Sequence, residues 1–145
     1  MKFIDSYYYP ENGHSRVIVQ HLGLKFTGRA WVHPDEKDKA SSFAGCQIAE
    51  LRAEIKALKY ERRQKKKETD AMIKFVHACE CYKYFNKEEN SARVVYRQIN
   101  RRVAEVNKLT DEINQRYKDI EKLIRDRSII IKALDRYKSK KEKQS

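Results

Sequence analysis

The sequence predicts an α+β fold in which a small three-stranded antiparallel β-sheet is followed by two long α-helices. Short aromatic-rich segments, separated by turn residues, fill the first 33 positions. Apolar residues then recur every three or four positions along most of the remaining chain. Charged residues make up 37% of the 145 residues and hydrophobic ones 40%, a balance typical of charged helices with narrow apolar stripes.

The predicted sheet covers residues 1–33. The strands are KFIDSYYY, HSRVIVQHL and LKFTGRAWVH, separated by a turn at PENG and a second turn at Gly23. Side chains of a strand alternate between its two faces. One face of the third strand is expected to pack on the core and carries Leu24, Phe26, Gly28, Ala30 and Val32. The other face is polar and aromatic and carries Lys25, Thr27, Arg29, Trp31 and His33.

The helical part is expected over residues 34–140. It divides into a helix of about 35–86, a turn at 86–91 and a helix of about 91–138, and the basic tail 139–145 is expected to fray. The apolar stripe of the first helix fades through ERRQKKKETD, which indicates a kinked or interrupted helix. Asn90 or Ser91 is the expected N-cap of the last helix. We expect one structural unit overall.

The last helix has the strongest periodicity of the chain. Its heptad stripe consists of Tyr96, Ile99, Val103, Val106, Thr110, Ile113, Tyr117, Ile120, Ile124, Arg127, Ile131 and Leu134. A helix of about fifty residues is about 75 Å long, so a small sheet cannot cover this stripe. It must pack against the first helix as an antiparallel hairpin or coiled coil, against another subunit, or both.

The formal net charge of +12 indicates an anionic partner: a nucleic acid, a nucleotide or an anionic membrane. No apolar run is long enough to span a bilayer, and the first ten residues lack the apolar stretch of a signal peptide. Three cysteines in a Cys-poor chain are typical of reduced thiols in a cytoplasm.

Several basic and aromatic clusters are candidates for binding an anionic ligand with a flat ring. Arg29, Trp31 and His33 share one strand face, to which the second strand can add His14, Arg16 or His21. An ordinary amphipathic strand whose Trp covers a helix is the alternative. Tyr82, Tyr84 and Phe85 form a further aromatic cluster, for which core packing is the default.

Two helical segments add cations. Arg52, Lys56, Lys59 and Arg63 line one flank of the first helix, although such runs are usually solvated. Near the start of the last helix a broad face carries Arg93, Tyr96, Arg97, Asn100 and Arg101, which can clamp phosphates, stack on rings and bind base edges. Tyr96 also lies on the apolar stripe and can be a core residue.

Catalysis finds little support in the sequence. Cys79 and Cys81, close to His77, are two positions apart on a helix and therefore point in different directions. No spacing matches a zinc site, and the four glycines are scattered rather than grouped in a phosphate-binding loop. We expect no enzyme activity, no metal and no cofactor.

Several stretches together resemble one family: YYYPENGHSRVIVQHLG, FTGRAWVHPDEKDKASSFAGCQIAELRAEIKALK and YRQINRR. The chain is similar in these stretches, and in its predicted architecture, to the phage-encoded Thoeris anti-defence proteins of the cyclic-ADP-ribose sponge type. The resemblance extends from the first strand through the helical hairpin turn and includes no short diagnostic motif.

The resemblance implies a function in the cytoplasm of an infected host. There a TIR-domain protein converts NAD into a cyclic ADP-ribose isomer that activates a lethal effector. A sponge of this family sequesters the isomer without cleaving it, so the effector stays silent. The family also implies homodimers or higher homo-oligomers up to hexamers, and binding of cyclic oligonucleotide messengers at separate sites.

The candidate ligand-binding residues are chosen by their chemistry, not transferred from the family. They are Arg16, Arg29, Trp31, Arg52, Lys56, Arg93, Tyr96, Arg97, Asn100 and Arg101. Two other functions remain open: a basic coiled coil that binds nucleic acid, and a phage inhibitor that binds a host protein. A membrane-surface role is disfavoured, because no helix opposes a broad apolar face to a basic one.

Overall fold

The computed structural model of the chain describes residues 1–31, 39–80 and 90–144. It confirms the predicted α+β order of three antiparallel strands and two long helices. The elements are β1 Lys2–Tyr9, β2 His14–His21, β3 Leu24–Trp31, α1 Lys39–Glu80 and α2 Asn90–Gln144. The predicted turn at 86–91 lies outside the described residues as far as position 89.

The strands form an antiparallel meander in the order β1-β2-β3. Leu22 and Gly23 connect β2 to β3 with positive φ angles of 52° and 76°, as a two-residue type I′ hairpin requires. Gly13, with φ of 63°, ends the turn before β2. The backbone amide of His14 then donates to Oδ1 of Asn12 at 3.2 Å, so the turn predicted at PENG is closed by its own asparagine.

The inner face of the sheet packs on α1. Val17 and Val19 of β2 are each only 1% exposed. A Cβ added at Gly28 of β3 would overlap backbone atoms of Ala49 and Ala53 on α1. The backbones of strand and helix therefore touch, which a strand glycine facing small helix residues permits.

The predicted apolar face of β3 is covered unevenly. Gly28 and Ala30 are buried, Phe26 is half-buried, and Leu24 beside the turn is exposed. Val32 lies outside the described residues. Burial thus increases along the strand from the turn to the residues opposite Ala49 and Ala53.

Helix α1 is continuous from Lys39 to Glu80. Of the kinked or interrupted helix that the sequence predicted, these described residues exclude the interruption. The segment 61–70 lacks an apolar stripe, but Glu, Arg, Gln and Lys are all strong helix formers. In addition, Nζ of Lys65 lies 3.6 Å from Oε1 of Glu61 one turn earlier. Loss of the stripe here changes the helix surface and leaves the helix intact.

Helix α2 continues to Gln144, beyond the end predicted near residue 138. The expected frayed tail is thus helical as far as 144. Lys141 and Lys143 in the last turn interact favourably with the negative end of the helix dipole. Neither long helix, over the residues that the structure describes, has an apolar stretch sufficient to span a bilayer.

The chain itself covers only part of the apolar stripe of α2. The buried members include Ile99, Ile113 and Ile120. Between 40% and 48% of the side chain is exposed at Val103, Tyr117 and Ile124. A surface for contact with another subunit, which the sequence left open, therefore stays available on this helix.

The chain divides into two compact units, Met1–Ala57 with Asn114–Ser145, and Leu58–Ile113. The first unit contains the whole sheet and the second contains only helix among its described residues. Strands of 8 residues reach about 26 Å, whereas α1 with its 42 residues reaches about 63 Å. A sheet of this size cannot accompany such a helix along its full length.

The two helices run antiparallel within the second unit, because the partner's number on α2 falls as the number on α1 rises. The contacts are Arg62 with Thr110 at 3.3 Å, Lys65 with Glu105 at 3.2 Å and Glu68 with Arg102 at 2.7 Å. The buried apolar side chains of this unit include Leu58, Val76, Ile99, Leu109 and Ile113.

Candidate functional site

The outer face of the sheet, opposite the face that packs on α1, collects aromatic and basic side chains. We call this group the outer sheet face: Tyr7, Tyr9, His14, Arg16, Arg29 and Trp31. The register places His14 opposite Trp31 and Arg16 opposite Arg29. On the other side of β2, Tyr9 lies opposite His14 and Tyr7 opposite Arg16. The structure thus brings Arg16, Arg29 and Trp31 together on one face; His21, paired with Leu24, belongs to the inner face.

Three rings stack across the three strands. The ring centroids of Tyr9 and His14 are 5.5 Å apart with an interplanar angle of 13°. Those of His14 and Trp31 are 4.5 Å apart with an angle of 25°. His14 in the middle is 9% exposed, whereas Trp31 at the end of the stack is 61% exposed. The ring stack therefore ends in an accessible indole.

The imidazole of His14 lies in surroundings that favour its neutral form. Burial lowers the pKa of His14, and the nearby charges of Arg29 and Arg16 lower it further. Among the described residues, His14 Nε2 and Arg16 Nε are buried without a hydrogen-bond partner. The outer sheet face therefore carries unsatisfied hydrogen-bonding groups. Each such buried atom lowers the stability of the fold by about 1–3 kcal/mol.

Arg16 also contacts β1. Its guanidinium carbon lies 4.8 Å from the centroid of the Tyr7 ring, a cation–π distance. A hydrogen bond with Tyr7 lowers the pKa of the Asp5 carboxyl, with smaller contributions from the Ser6 amide and from Arg16. Asp5 is therefore held ionised beside these groups, and Arg29 lies one strand further away, opposite Arg16.

Two further candidates, Arg52 and Lys56, bind the edge of the sheet. Arg52 Nη1 donates to the carbonyl oxygen of Arg29 at 2.7 Å, and Lys56 Nζ donates to that of Thr27 at 2.7 Å. Since β3 is an edge strand, these carbonyls have no partner strand. Both cations therefore attach β3 to α1. The sequence had predicted a ligand-binding role for them and not this structural one.

The remaining candidates belong to α2 in the second unit. Arg93, Arg97, Asn100 and Arg101 are exposed, and Tyr96 is half-buried. Arg101 Nε lies 3.5 Å from Oε1 of Glu105 one turn later, and its side chain is 81% exposed. The ten candidates are therefore distributed over both compact units.

A groove of about 630 Å³ lies between α1 and α2 in the second unit. We call it the cationic groove, because α1 lines it with Lys59, Arg62, Arg63 and Lys66 and with a single acid, Asp70. Positions three, four and seven apart fall on one flank of a helix, which explains why these four cations point the same way.

The rest of the groove is uncharged. Hydrogen-bonding side chains come from Thr69, Asn107 and Thr110, and the apolar part comes from Ile73, Val103 and Val106. Arg62 Nη1 is bound to Oγ1 of Thr110. Within the described part of the chain, neither Arg63 nor Lys66 forms an ion pair, so two of the four positive charges are free to bind an anion.

Sequence reasoning found only one wall of this groove. Lys59 and Arg63 belong to the cation flank noted on the first helix, but they were not chosen as ligand-binding residues. The wall from α2 was missed because a heptad pattern does not show which turn of one helix faces which turn of the other. The available signal was the apolar stripe through Val103 and Val106, which had to face a partner helix.

A second depression, of about 490 Å³ in the first unit, has the opposite charge. Its lining includes Glu50, Glu54, Asp119 and Asp126, with Lys122 as the cation. Burial raises the pKa of Glu50, and the charge of Glu54 raises it further. Anions are repelled here, which distinguishes this depression from the cationic groove.

Several residues noted in the sequence lie outside the described ranges, namely His33, Cys81, Tyr82, Tyr84 and Phe85. Cys46 and Cys79 are free thiols. In the part of the chain that the structure describes, no group of three His, Cys, Asp or Glu side chains is placed to hold a metal ion.

Comparisons of the chain with protein-family models, with curated proteins and with solved structures found no match.

Proposed function

We propose that this protein sequesters a TIR-derived cyclic ADP-ribose isomer without cleaving it, and so acts as a phage anti-defence sponge. The observation that supports this proposal most is the cationic groove, with its four cations, one acid and apolar floor. The resemblance to the Thoeris anti-defence family supplies the identity of the messenger. The groove supports the proposal by its size and charge.

Size and charge both suit the groove. Ligand sites for small molecules usually have volumes of about 300–1,000 Å³, and the groove has about 630 Å³. A cyclic ADP-ribose carries a pyrophosphate with two negative charges. Arg63 and Lys66 lie one turn apart on α1 and can bind these two phosphates, Arg63 through paired donors and Lys66 as a point charge.

The uncharged wall suits the remainder of the ligand. Ile73, Val103 and Val106 offer an apolar surface for the adenine, and the Asn107 amide can both donate to and accept from a base edge. Capture of this kind uses only binding energy. The net charge of +12 adds long-range attraction for an anionic messenger and speeds its association.

A pull-out experiment tests the proposal. The purified protein is incubated with the cyclic ADP-ribose isomers made by TIR-domain enzymes, freed of unbound ligand and heat-denatured. The released small molecules are then identified by liquid chromatography and mass spectrometry. Recovery of an intact isomer near one molecule per site is the expected result. A cleaved product would show an enzyme instead, and no recovery would refute the sponge.

Charge-neutralising variants locate the site. The double variant Arg63→Gln with Lys66→Gln should reduce messenger affinity at least about 30-fold, because two charge-assisted contacts are lost. Lys67→Gln is the matched control, since Lys67 is exposed on α1 and does not line the groove. Arg97→Ala and Asn100→Ala test the earlier candidates on α2. Loss of capture in these two, with the groove variant unaffected, would move the site to them.

Homo-oligomers, from dimers upward, are part of the proposal, as is the host cytoplasm as the place of action. The exposed part of the α2 stripe at Tyr117 and Ile124, which does not line the groove, is the surface on which copies can associate. Measuring the molar mass of the free and the messenger-loaded protein by light scattering tests this point. A monomer at micromolar concentration in both states would contradict it.

A further inference from the structure

We propose that the outer sheet face binds single-stranded nucleic acid by stacking an unpaired base on Trp31. This site lies in the first unit, whereas the cationic groove lies in the second. The outer sheet face would bind a different ligand from the messenger, so the two proposals can be tested independently.

The ring stack provides the platform for a base. His14 covers one side of the Trp31 indole at a centroid distance of 4.5 Å, and 61% of Trp31 remains exposed. Tyr9 on the far side of His14 restricts the imidazole in turn. An indole held rigid on one side and open on the other stacks a base with little loss of side-chain entropy.

Cations lie at the distance that a nucleotide backbone needs. Arg29 is two positions before Trp31 on the same face of β3, which separates their Cα atoms by about 7 Å. Arg16 lies directly opposite Arg29 on β2. When a base stacks on Trp31, the neighbouring phosphates of the same strand can contact these two guanidinium groups.

The charge of the face favours a polyanion. Along β2 and β3 the outward positions are His14, Arg16, Ile18, Gln20, Lys25, Thr27, Arg29 and Trp31. Arg16, Lys25 and Arg29 among them are cations and none is an acid. The acid on the outward positions of β1, Asp5, already accepts hydrogen bonds from Tyr7 and Ser6. Its charge opposes only part of the positive charge of the face.

Hydrogen-bonding groups on this face also lack partners. Arg16 Nε is buried and unpaired among the described residues, and the guanidinium to which it belongs is already oriented by the Tyr7 ring. Arg16 is thus positioned before any ligand arrives, which reduces the entropy lost on binding a phosphate. A duplex does not fit this arrangement, because its bases are already stacked on each other.

Trp31 is the one tryptophan of the chain, so its fluorescence reports on this site alone. The experiment titrates the full-length protein with an eight-nucleotide oligothymidylate and with an abasic oligomer of the same length and charge. The oligothymidylate should quench Trp31 emission at saturation, and the abasic oligomer should leave it nearly unchanged. Equal affinity for the two oligomers with unchanged emission, or no binding of either, overturns the proposal.

Variants are followed by fluorescence anisotropy of a labelled oligothymidylate. Trp31→Leu should weaken binding about 5- to 150-fold, the usual effect of removing one stacking ring. Phe75→Leu is the control, because Phe75 is an equally exposed aromatic side chain on a helix of the second unit. Arg29→Gln should weaken binding and reduce the slope of log affinity against log salt by about 0.7.

The groove variant separates the two proposals. Arg63→Gln with Lys66→Gln should leave the quenching of Trp31 by oligothymidylate intact, and Trp31→Leu should leave messenger capture intact. If the groove variant abolishes oligomer binding while Trp31→Leu preserves it, nucleic acid binds the helices and the site on the sheet is wrong. Circular dichroism melting of each variant confirms that it is folded.

Discussion

The two compact units cover α1 with different kinds of side chains. In the first unit the sheet approaches α1 so closely that Gly28 touches the backbone at Ala49 and Ala53. In the second unit the two helices bury larger apolar side chains such as Leu109 and Ile113, and charged side chains such as Lys65 also join them. The sheet thus packs on α1 through small residues, whereas the second unit packs through larger apolar side chains.

This difference explains where a ligand site can form. A backbone contact leaves no space between elements, so the sheet offers only its outer face to partners. Beside the buried apolar side chains of the second unit, the two helices leave a groove of about 630 Å³ between them. Its walls carry four cations and one acid, and an anion is therefore attracted to that space.

The largest expected effect concerns the tight contact. Gly28→Ala should lower the free energy of unfolding by about 3 kcal/mol or more, because the new methyl group overlaps backbone atoms of Ala49 and Ala53 that cannot rotate away. Urea denaturation followed by circular dichroism measures the loss. Gly23→Ala is the control: it has open space around it and a φ of 76°, so only backbone strain of about 1–2 kcal/mol applies. A loss at Gly28 no larger than at Gly23 would refute the close packing.

Polar contacts should matter more in the first unit than in the second. Arg116 donates to Glu54 at 2.9 Å, and the two side chains are 27% and 23% exposed. Arg102 and Glu68 form a shorter contact, but 40% and 62% of their side chains are exposed. Arg116→Gln should therefore cost about 1–2 kcal/mol and Arg102→Gln less than about 1 kcal/mol. Equal losses in parallel denaturation experiments would contradict the comparison.

The ring stack makes the first unit sensitive to acid. The pKa of His14 is lowered in the folded protein, so the unfolded chain takes up a proton first as the pH falls through about 6.5. Stability should therefore decrease from that pH downward, until the folded-state pKa of His14 is passed. Thermal unfolding at pH 7.5 and pH 5 measures this decrease, which should be smaller in His14→Phe. The other histidines are present in both proteins and cancel in the difference.

Glu50 should show the opposite dependence. Its pKa is raised by burial and by Glu54, so the folded protein holds a proton that the unfolded chain releases, and ionisation above that pKa destabilises the fold. Glu50→Gln should accordingly stabilise the protein slightly at pH 7 and lose this advantage at pH 4. A variant less stable than the wild type at pH 7 would show that the charge of Glu50 has a favourable partner.

The smallest effect is expected at the sheet edge. Lys56→Gln should cost less than about 1 kcal/mol, because one exposed hydrogen bond to the Thr27 carbonyl is lost. Messenger capture should stay unchanged, which would assign Lys56 to the structure. If capture falls tenfold while stability is constant, Lys56 is a ligand residue, as the sequence first predicted.

The alternation of polar and apolar residues in the strands and the spacing of apolar residues in the helices were sufficient to predict the fold class. The alternation in LKFTGRAW separates Gly28 and Ala30 from Arg29 and Trp31, and the structure keeps this separation. The apolar spacing predicted two long helices, because a stripe repeated every three or four residues is stable only on a helix. The fading stripe at 61–70 does not interrupt α1, since backbone propensity there is independent of the stripe.

What the sequence by itself determined, then, are the strands, the helices and the chemistry available on each face. These depend on local spacing along the chain. Only the tertiary structure decided that Tyr9, His14 and Trp31 stack, that Arg52 binds a strand carbonyl, and that Lys66 and Asn107 share one groove. Each of these relations joins residues distant in sequence, and their pairing is set by strand register and by the alignment of two helices.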